Sequence, residues 1–286
     1  MKITYYFLAV LLCTTLGLNA QQQDGKVGPT YVGTATTHTY VPSLASRINE
    51  LTPSTTKEAE MEDGRVHHNK AEIVPGKGMQ ADILSQNRHK LEGKVPGRTP
   101  DLVWDAAFSN SMPTDPALAV GPDHVFVVFN TGYAIYDKDG TQLLGQTNPN
   151  PSIFPSAGCC DLTVSYDPVA TSAANPTPGR WVLSFLGGGA QVAVSDGPNP
   201  LTAGWNVYTI GSINDYNKLS VWSDGYYVSD QAAGDRIYAM ERQAMLDGEP
   251  AANVSIQGFT PPNFSNSGFA SLQILNIADD QYPAAG

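Results

Sequence analysis

Residues 118–130, LAVGPDHVFVVFN, and residues 219–231, LSVWSDGYYVSDQ, share the same internal order. Each begins with a short apolar strand, turns at an aspartate and continues as an aromatic-rich strand. A further strand with a tyrosine follows each of them, in YAIYDKDG and in DRIYAMER. Residues 162–195 have this order too, with a longer first connection. Short β-rich runs that recur as a unit predict an all-β domain of antiparallel sheets.

The spacing of the units indicates the architecture. Their apolar centres lie near Val120, Val164 and Val221, 44 and 57 residues apart. Four short strands every ~40–50 residues are typical of β-propeller blades. We therefore expect a partial β-propeller over 101–286, with about three blades of four-stranded antiparallel sheet. A two-sheet sandwich is the alternative. Because propellers typically need ~4–8 blades, we expect the domain to be truncated at its carboxyl terminus.

The amino terminus predicts export. Lys2 precedes an apolar run that ends in small residues at Ala20, which is typical of a signal peptide over residues 1–20. A membrane anchor is the alternative, but the run is shorter than the ~20 residues of a spanning helix. Cys13 lies inside the apolar run, which disfavours a lipoprotein. We expect a secreted protein, extracellular or on the outer cell surface, without membrane insertion after cleavage.

The next stretch, residues 21–100, is polar and lacks a sustained apolar stripe. It predicts a leader or linker that is partly disordered, with short helices near 42–51 and 79–91. A small pro-domain or an arm packed on the core is the alternative.

Charge is unevenly distributed along the chain. Residues 1–100 carry a net charge of +2, whereas residues 101–286 carry −13. Sixteen of the 18 acidic residues in the second part are aspartates, which favour turns and caps over helix interiors. The acidic field argues against nucleic acid as a partner.

Several motifs occur together in order and resemble a family of large secreted bacterial proteins. They are PTDPALAVGPDHVFVVFNTGYAIYDKDG, CCDLTVSYDP with GRWVLSFL, VAVSDGPNPLTAGWNVYTI, DYNKLSVWSDGYYVSDQ and YAMERQAML. The resemblance covers about 101–286 and implies a propeller-like domain in an exported protein. Some members carry a carboxy-terminal type IX sorting domain, and the family implies no agreed reaction. Asn217 stands where the family usually has proline.

Cys159 and Cys160 are the only cysteines after the predicted cleavage site. Metal binding is disfavoured because no histidine or third cysteine lies near them in sequence, and nucleophilic catalysis because no base does. The two remaining interpretations are a pair of unreactive free thiols and a vicinal disulfide. We predict the disulfide because an exported protein meets an oxidising compartment. Adjacent Cα atoms are ~3.8 Å apart, closer than the usual ~4.4–6.8 Å, so the bond would lock a rigid turn.

Catalytic patterns in the domain are weak. His124 is its single histidine, and capping a turn or packing at a blade rim is its expected role. A glycosidase needs two carboxylates, and a sialidase would also need clustered arginines. The acidic candidates, whose alternative role is turn capping, are Asp161, Asp167, Asp224 and Asp235. The domain has only three arginines, Arg180, Arg236 and Arg242, which disfavours a sialidase. His67 and His68 lie in the polar leader, where we expect solvent exposure.

Two further patterns are candidate binding sites. Asp137 and Asp139 could bind calcium, although the stretch is also an ordinary hairpin turn. Aromatic side chains in or beside the strands could stack on sugar rings, with core packing as the alternative. We name Trp181, Trp222, Tyr226 and Tyr227 as these binding candidates.

These observations favour a binding or adhesion module for glycans or surface proteins over an enzyme. A polysaccharide-active hydrolase or lyase is one alternative, and a structural segment of a larger exported protein is another. No cofactor is expected, with calcium the one ligand ion considered.

Overall fold

The computed structural model is all-β, with three antiparallel sheets. It describes residues 28–54, 102–109, 111, 113–211, 213, 215–231, 237–261, 272 and 274–276. The strands are β1 (Tyr31–Thr34), β2 (Thr37–Val41), β3 (Ala117–Val120), β4 (His124–Phe129), β5 (Gly132–Asp137), β6 (Gln142–Thr147), β7 (Cys160–Asp167), β8 (Arg180–Leu186), β9 (Ala190–Ser195), β10 (Trp205–Ile210), β11 (Lys218–Val221), β12 (Gly225–Ser229), β13 (Ile237–Glu241) and β14 (Ser255–Phe259).

Each repeated unit forms one sheet. The first sheet has the predicted four strands, in the order β3–β4–β5–β6. The second and third sheets have five strands instead of four, in the orders β2–β10–β9–β8–β7 and β1–β14–β13–β12–β11, because an amino-terminal strand adds to each. Equivalent turns recur in the first and third sheets: the Gly121 amide donates to the His124 carbonyl, and the Trp222 amide donates to the Gly225 carbonyl. The backbone hydrogen bonds therefore confirm the predicted all-β class and its antiparallel sheets.

The helices in the described residues are short. The α-helices are α1 (Pro149–Ser152) and α2 (Arg242–Leu246). Short 3-10 helices lie at Ala45–Glu50, inside the helix predicted near 42–51, and at Ala251–Asn253. No helix in these ranges is long and apolar enough to cross a membrane. The predicted signal peptide and the helix near 79–91 lie outside the described residues.

A segment from the predicted leader covers the outer edges of all three sheets. Strand β1 pairs with β14 of the third sheet, and β2 pairs with β10 of the second. The chain then reaches the first sheet, where Pro53 bridges Thr147 and the Ser54 amide donates to the Gln146 carbonyl over 3.1 Å. We call residues 28–54 the edge arm. Covering these edges hides backbone groups that would otherwise recruit another strand.

The linker interpretation therefore does not hold for the edge arm, which is instead the arm packed on the core. Strand addition rests on backbone hydrogen bonds, so it needs no continuous apolar stripe. Only a few side chains anchor it, with Val41 and Leu44 buried in the core that the first and second sheets share. The linker prediction for residues 55–100 lies outside the described residues, and the domain boundaries stay predictions.

The interior has two main parts. One core lies between the first and second sheets and holds Trp181 and Trp205, and the other lies between the second and third sheets and holds Tyr208 and Tyr226. On its other face, the first sheet is covered by residues 102–109, whose Trp104 ring lies 6.0 Å from that of Tyr136.

The burial of Leu44 gives a test of the edge arm. Leu44 is 0% exposed, so Leu44→Ala should lower the free energy of unfolding by about 2–5 kcal/mol through lost burial and a residual cavity. Ile48 is exposed in the same arm, and Ile48→Ala should change it by less than about 0.5 kcal/mol. Urea denaturation of both variants measures the difference. Equal, small effects would show that the arm does not pack on the sheets.

Candidate functional site

A left-handed residue marks the same end of each sheet. Asp115 (φ 38°), Asp161 (φ 52°) and Tyr216 (φ 50°) are the non-glycine residues with positive φ in the described part of the chain. Asp115 and Tyr216 lie two residues before β3 and β11 begin, and Asp161 lies near the start of β7, two residues before the pairing with β8 becomes regular at Thr163. This conformation costs a non-glycine residue about 1–3 kcal/mol, and such strain concentrates at functional sites. We call this end the mouth and define it by Asp115, Asp161, Asp215, Tyr216, Asn217 and Lys218.

Asp161 joins the three sheets at the mouth. Its backbone amide donates to the Asn130 side-chain oxygen at the end of β4 in the first sheet. The Asn130 amide nitrogen in turn donates to the Pro113 carbonyl over 3.2 Å. The Tyr216 amide, which leads into the third sheet, donates to Asp161 Oδ2 over 3.2 Å. One aspartate of the second sheet therefore bonds to both neighbouring sheets.

The Asp161 carboxyl is also electrostatically unusual. It is buried, with 3% exposure, and burial raises its pKa from 3.8 to about 6. Lys218 opposes this shift, whereas the charges of Asp215 and Asp115 add to it. A carboxyl that titrates near neutral pH can both accept a hydrogen bond and exchange a proton.

Lys218 brings a positive charge to the same place. Burial lowers its pKa, and the same three aspartates oppose that shift. Its Nζ lies 3.6 Å from the centroid of the Tyr216 ring, a cation–π contact that partly replaces water around the ammonium.

Asn217 adds a polar group that lacks a partner. The residue is 0% exposed, and its Nδ2 donates to Ser184 Oγ of β8 over 2.6 Å. Its buried Oδ1 has no hydrogen-bond partner in the described structure, and the same is true of Asp115 Oδ2. An unmade bond at a buried acceptor costs about 1–3 kcal/mol. Asn217 therefore places a buried amide oxygen without a partner beside Asp161 and Lys218.

The cysteine pair lies directly before Asp161. The sulfur atoms of Cys159 and Cys160 are 2.09 Å apart, at disulfide distance, and their Cα atoms are 3.7 Å apart. The Cys159 amide donates to the Leu186 carbonyl over 2.8 Å. A Cβ at Gly158 would meet the Phe185 ring at 2.2 Å, so the chain before the pair packs tightly on β8. This packing and the cysteine pair hold the start of β7.

Asp167, one of the weak carboxylate candidates, and two of the three arginines of the domain lie in the interior. Arg242 donates two bonds to the fully buried Asp167 carboxylate, Nε over 2.7 Å and Nη2 over 3.1 Å, and the Tyr226 hydroxyl donates a third over 2.9 Å. This group joins the second and third sheets at the end away from the mouth. Arg180, also 0% exposed, bonds to backbone carbonyls of residues 175–179. Asp167, Arg180 and Arg242 thus have structural hydrogen-bond partners inside the domain.

The remaining polar candidates are dispersed. His124 is buried at the end of β4 away from the mouth, and burial lowers its pKa. The Asp224 carboxylate accepts the Tyr227 hydroxyl over 3.0 Å. Candidates that lie outside the described residues are Asp235, Arg236, His67 and His68.

The calcium candidate is a hairpin turn between β5 and β6. Asp137 Oδ1 accepts the amides of Asp139 over 3.0 Å and of Thr141 over 2.7 Å. No group of three or more His, Cys, Asp or Glu residues in the described ranges could hold a metal ion. Asp137 thus caps the hairpin turn that the sequence analysis gave as the alternative to calcium binding.

Two of the four aromatic candidates are inaccessible. Trp181 and Tyr226 are 0% exposed, so neither ring can stack on a ligand, and we correct the binding prediction for both. Trp222 and Tyr227 are half-buried at the end of the third sheet away from the mouth. The Trp222 indole donates to the carbonyl of Leu275. They stay candidates, but the structure does not bring them to the mouth.

Comparison of the chain with protein-family models, with curated proteins and with solved structures finds no match. The resemblance to secreted propeller-like proteins therefore stays a prediction.

The pKa of Asp161 predicts a pH dependence of stability. Because the native carboxyl has the higher pKa, the native chain binds its proton more tightly than the unfolded chain. The contribution to stability is thus present at low pH and lost as the pH rises from about 4 to about 6. Across this window, the free energy of unfolding relative to Asp161→Asn should fall by about 2–3 kcal/mol.

Urea denaturation across this pH range measures the effect. Asp139→Asn, at an exposed carboxylate, is the matched control and should keep the wild-type profile. The same pH profile for wild type and Asp161→Asn would contradict the burial of a titrating carboxyl at the mouth.

Proposed function

We propose that this chain is an extracellular binding module whose ligand binds at the mouth of a partial β-propeller. The observation that carries the proposal is the buried Asp161, which meets all three sheets and lies among the charges of Lys218, Asp115 and Asp215. A stable core alone does not need these groups, because burying charge and holding left-handed residues both cost free energy.

The sheet arrangement supports the propeller. Each sheet contains four strands that follow one another in sequence, and β7 contacts both β3 and β11. The first strands of the three sheets are thus neighbours, as the inner strands of blades are. A sandwich would place two sheets face to face and would not bring three first strands together.

The mouth suits a hydroxyl-rich ligand. Lys218 supplies hydrogen-bond donors, and the half-buried carboxylates of Asp115 and Asp215 supply acceptors. Glycans offer donors and acceptors in close alternation, as do polar side chains of a surface protein. Export, which the predicted signal peptide supports, would bring the module to such ligands.

A polysaccharide-active hydrolase or lyase is the second candidate. One observation favours it: a carboxyl with a pKa of about 6 can donate a proton near neutral pH, and Asp115 and Asp215 could supply the second carboxylate.

A structural segment of a larger exported protein is the third candidate. Leu118 and Val120 are 60% and 50% exposed on β3, the edge strand of the first sheet. An apolar edge of this kind suits packing against another part of a larger protein.

A glycan array combined with a reducing-end release assay separates these functions. We expect the mature chain to bind at least one glycan and to release no new reducing ends. Lys218→Met should weaken that binding by about 10-fold or more through loss of a charged hydrogen bond, while Asp139→Asn should leave it unchanged. Release of product that Asp161→Asn abolishes would contradict the binding function and support the enzyme.

A further inference from the structure

A polar cleft lies where the edge arm meets the second sheet. It has a volume of about 500 Å³, and the residues that matter for its chemistry are His38, Tyr40, Asn175, Asp196, Asn206 and Asp247. We call it the rim groove. Its floor is an aromatic and amide surface: the His38 ring stacks on Tyr208 with centroids 4.5 Å apart, and its Nε2 lies 3.1 Å from Asn206 Oδ1.

Hydrogen bonds fix the walls of the groove. The Tyr40 hydroxyl donates to Asp196 Oδ2 over 2.8 Å, and Asn175 Nδ2 donates to the Asp196 carbonyl over 2.7 Å. Across the groove, Asp247 Oδ1 accepts the Ala173 amide over 2.7 Å. These bonds hold both walls in place before any ligand arrives, which lowers the entropy cost of binding.

Close backbone approach completes the shape. Gly248 has φ +68°, and a Cβ there would meet Asn206 Oδ1 at 3.0 Å. Because a side chain at this position would be strained and crowded, the glycine lets the turn after α2 close over the Asn206 amide.

The groove presents the groups that recognise a sugar. The Tyr40 side chain is 54% exposed, which leaves ring surface for a pyranose to stack on. Carboxylate and amide groups beside it can accept and donate hydrogen bonds to hydroxyls. Among the described residues, no lysine or arginine lines the groove, and Asp196 and Asp247 would repel an anionic ligand.

We propose that the rim groove binds a neutral or amino-substituted saccharide and excludes acidic ones. The groove lies apart from the mouth: Asn206 pairs with Val194, which pairs with Val182 near the Arg180 end of β8, whereas the mouth lies at the Leu186 end. The proposal therefore does not depend on the function of the mouth.

The test uses the full mature chain and three defined probes: cellohexaose, chitosan hexamer and oligogalacturonate. Isothermal titration should show binding of at least one of the first two and none of the third. Tyr40→Ala should weaken that binding about 10-fold, the loss of one stacked ring and its burial. Leu143→Ala, at an exposed apolar residue elsewhere, should bind like wild type, and thermal melting confirms that each variant is folded.

Hydroxyl-radical footprinting of the wild type gives a readout that needs no variant. Saturating probe should protect Tyr40 and His38 from oxidation. Preferred binding of oligogalacturonate, no binding of either other probe, or binding without protection of Tyr40 would overturn the proposal. Binding that Lys218→Met abolishes and Tyr40→Ala spares would assign the saccharide to the mouth, overturning this proposal and leaving the proposed function intact.

Discussion

The structure depends on the backbone hydrogen bonds by which one amino-terminal segment closes the outer edges of three sheets. The Ala35 amide donates to Val254 of the segment before β14, the Thr36 amide to Thr209 of β10, and the Ser54 amide to Gln146 of β6. Each such bond contributes about 1 kcal/mol net, yet an open edge would also invite strand addition from another chain. A single segment therefore holds the three units in one order and hides their edges.

The mouth, where β3, β7 and β11 are neighbours, differs from the outer edges because polar side chains meet there. There the chain buries a carboxyl and an amide, half-buries a lysine, and holds three residues in left-handed conformations. Outside, polar side chains of the edge arm form one wall of the rim groove. The mouth and the rim groove are thus lined by polar side chains, whereas the apolar cores between the sheets give the domain its rigidity.

The all-β class and the antiparallel units could be predicted from the sequence, because they follow from strand alternation and local spacing. It identified Asp161 as one of several equal candidates, since only the fold shows that Asn130 and Tyr216 bond to it. The binding prediction for Trp181 is wrong because the sequence does not distinguish a buried aromatic residue in a strand from an exposed one. His38 and Tyr40 were missed because their polar surroundings resemble a linker, and their partners are more than 150 residues away.

Amide hydrogen exchange of the mature chain tests the role of the edge arm most directly. Ala35, Thr36 and Ser54 report on the third, second and first sheets in turn. If the arm is an integral edge strand, these amides exchange as slowly as those of the core strands, because they open only when the domain unfolds. Exchange at the rate of an unstructured peptide would show that the arm is a detached leader, and would contradict the account.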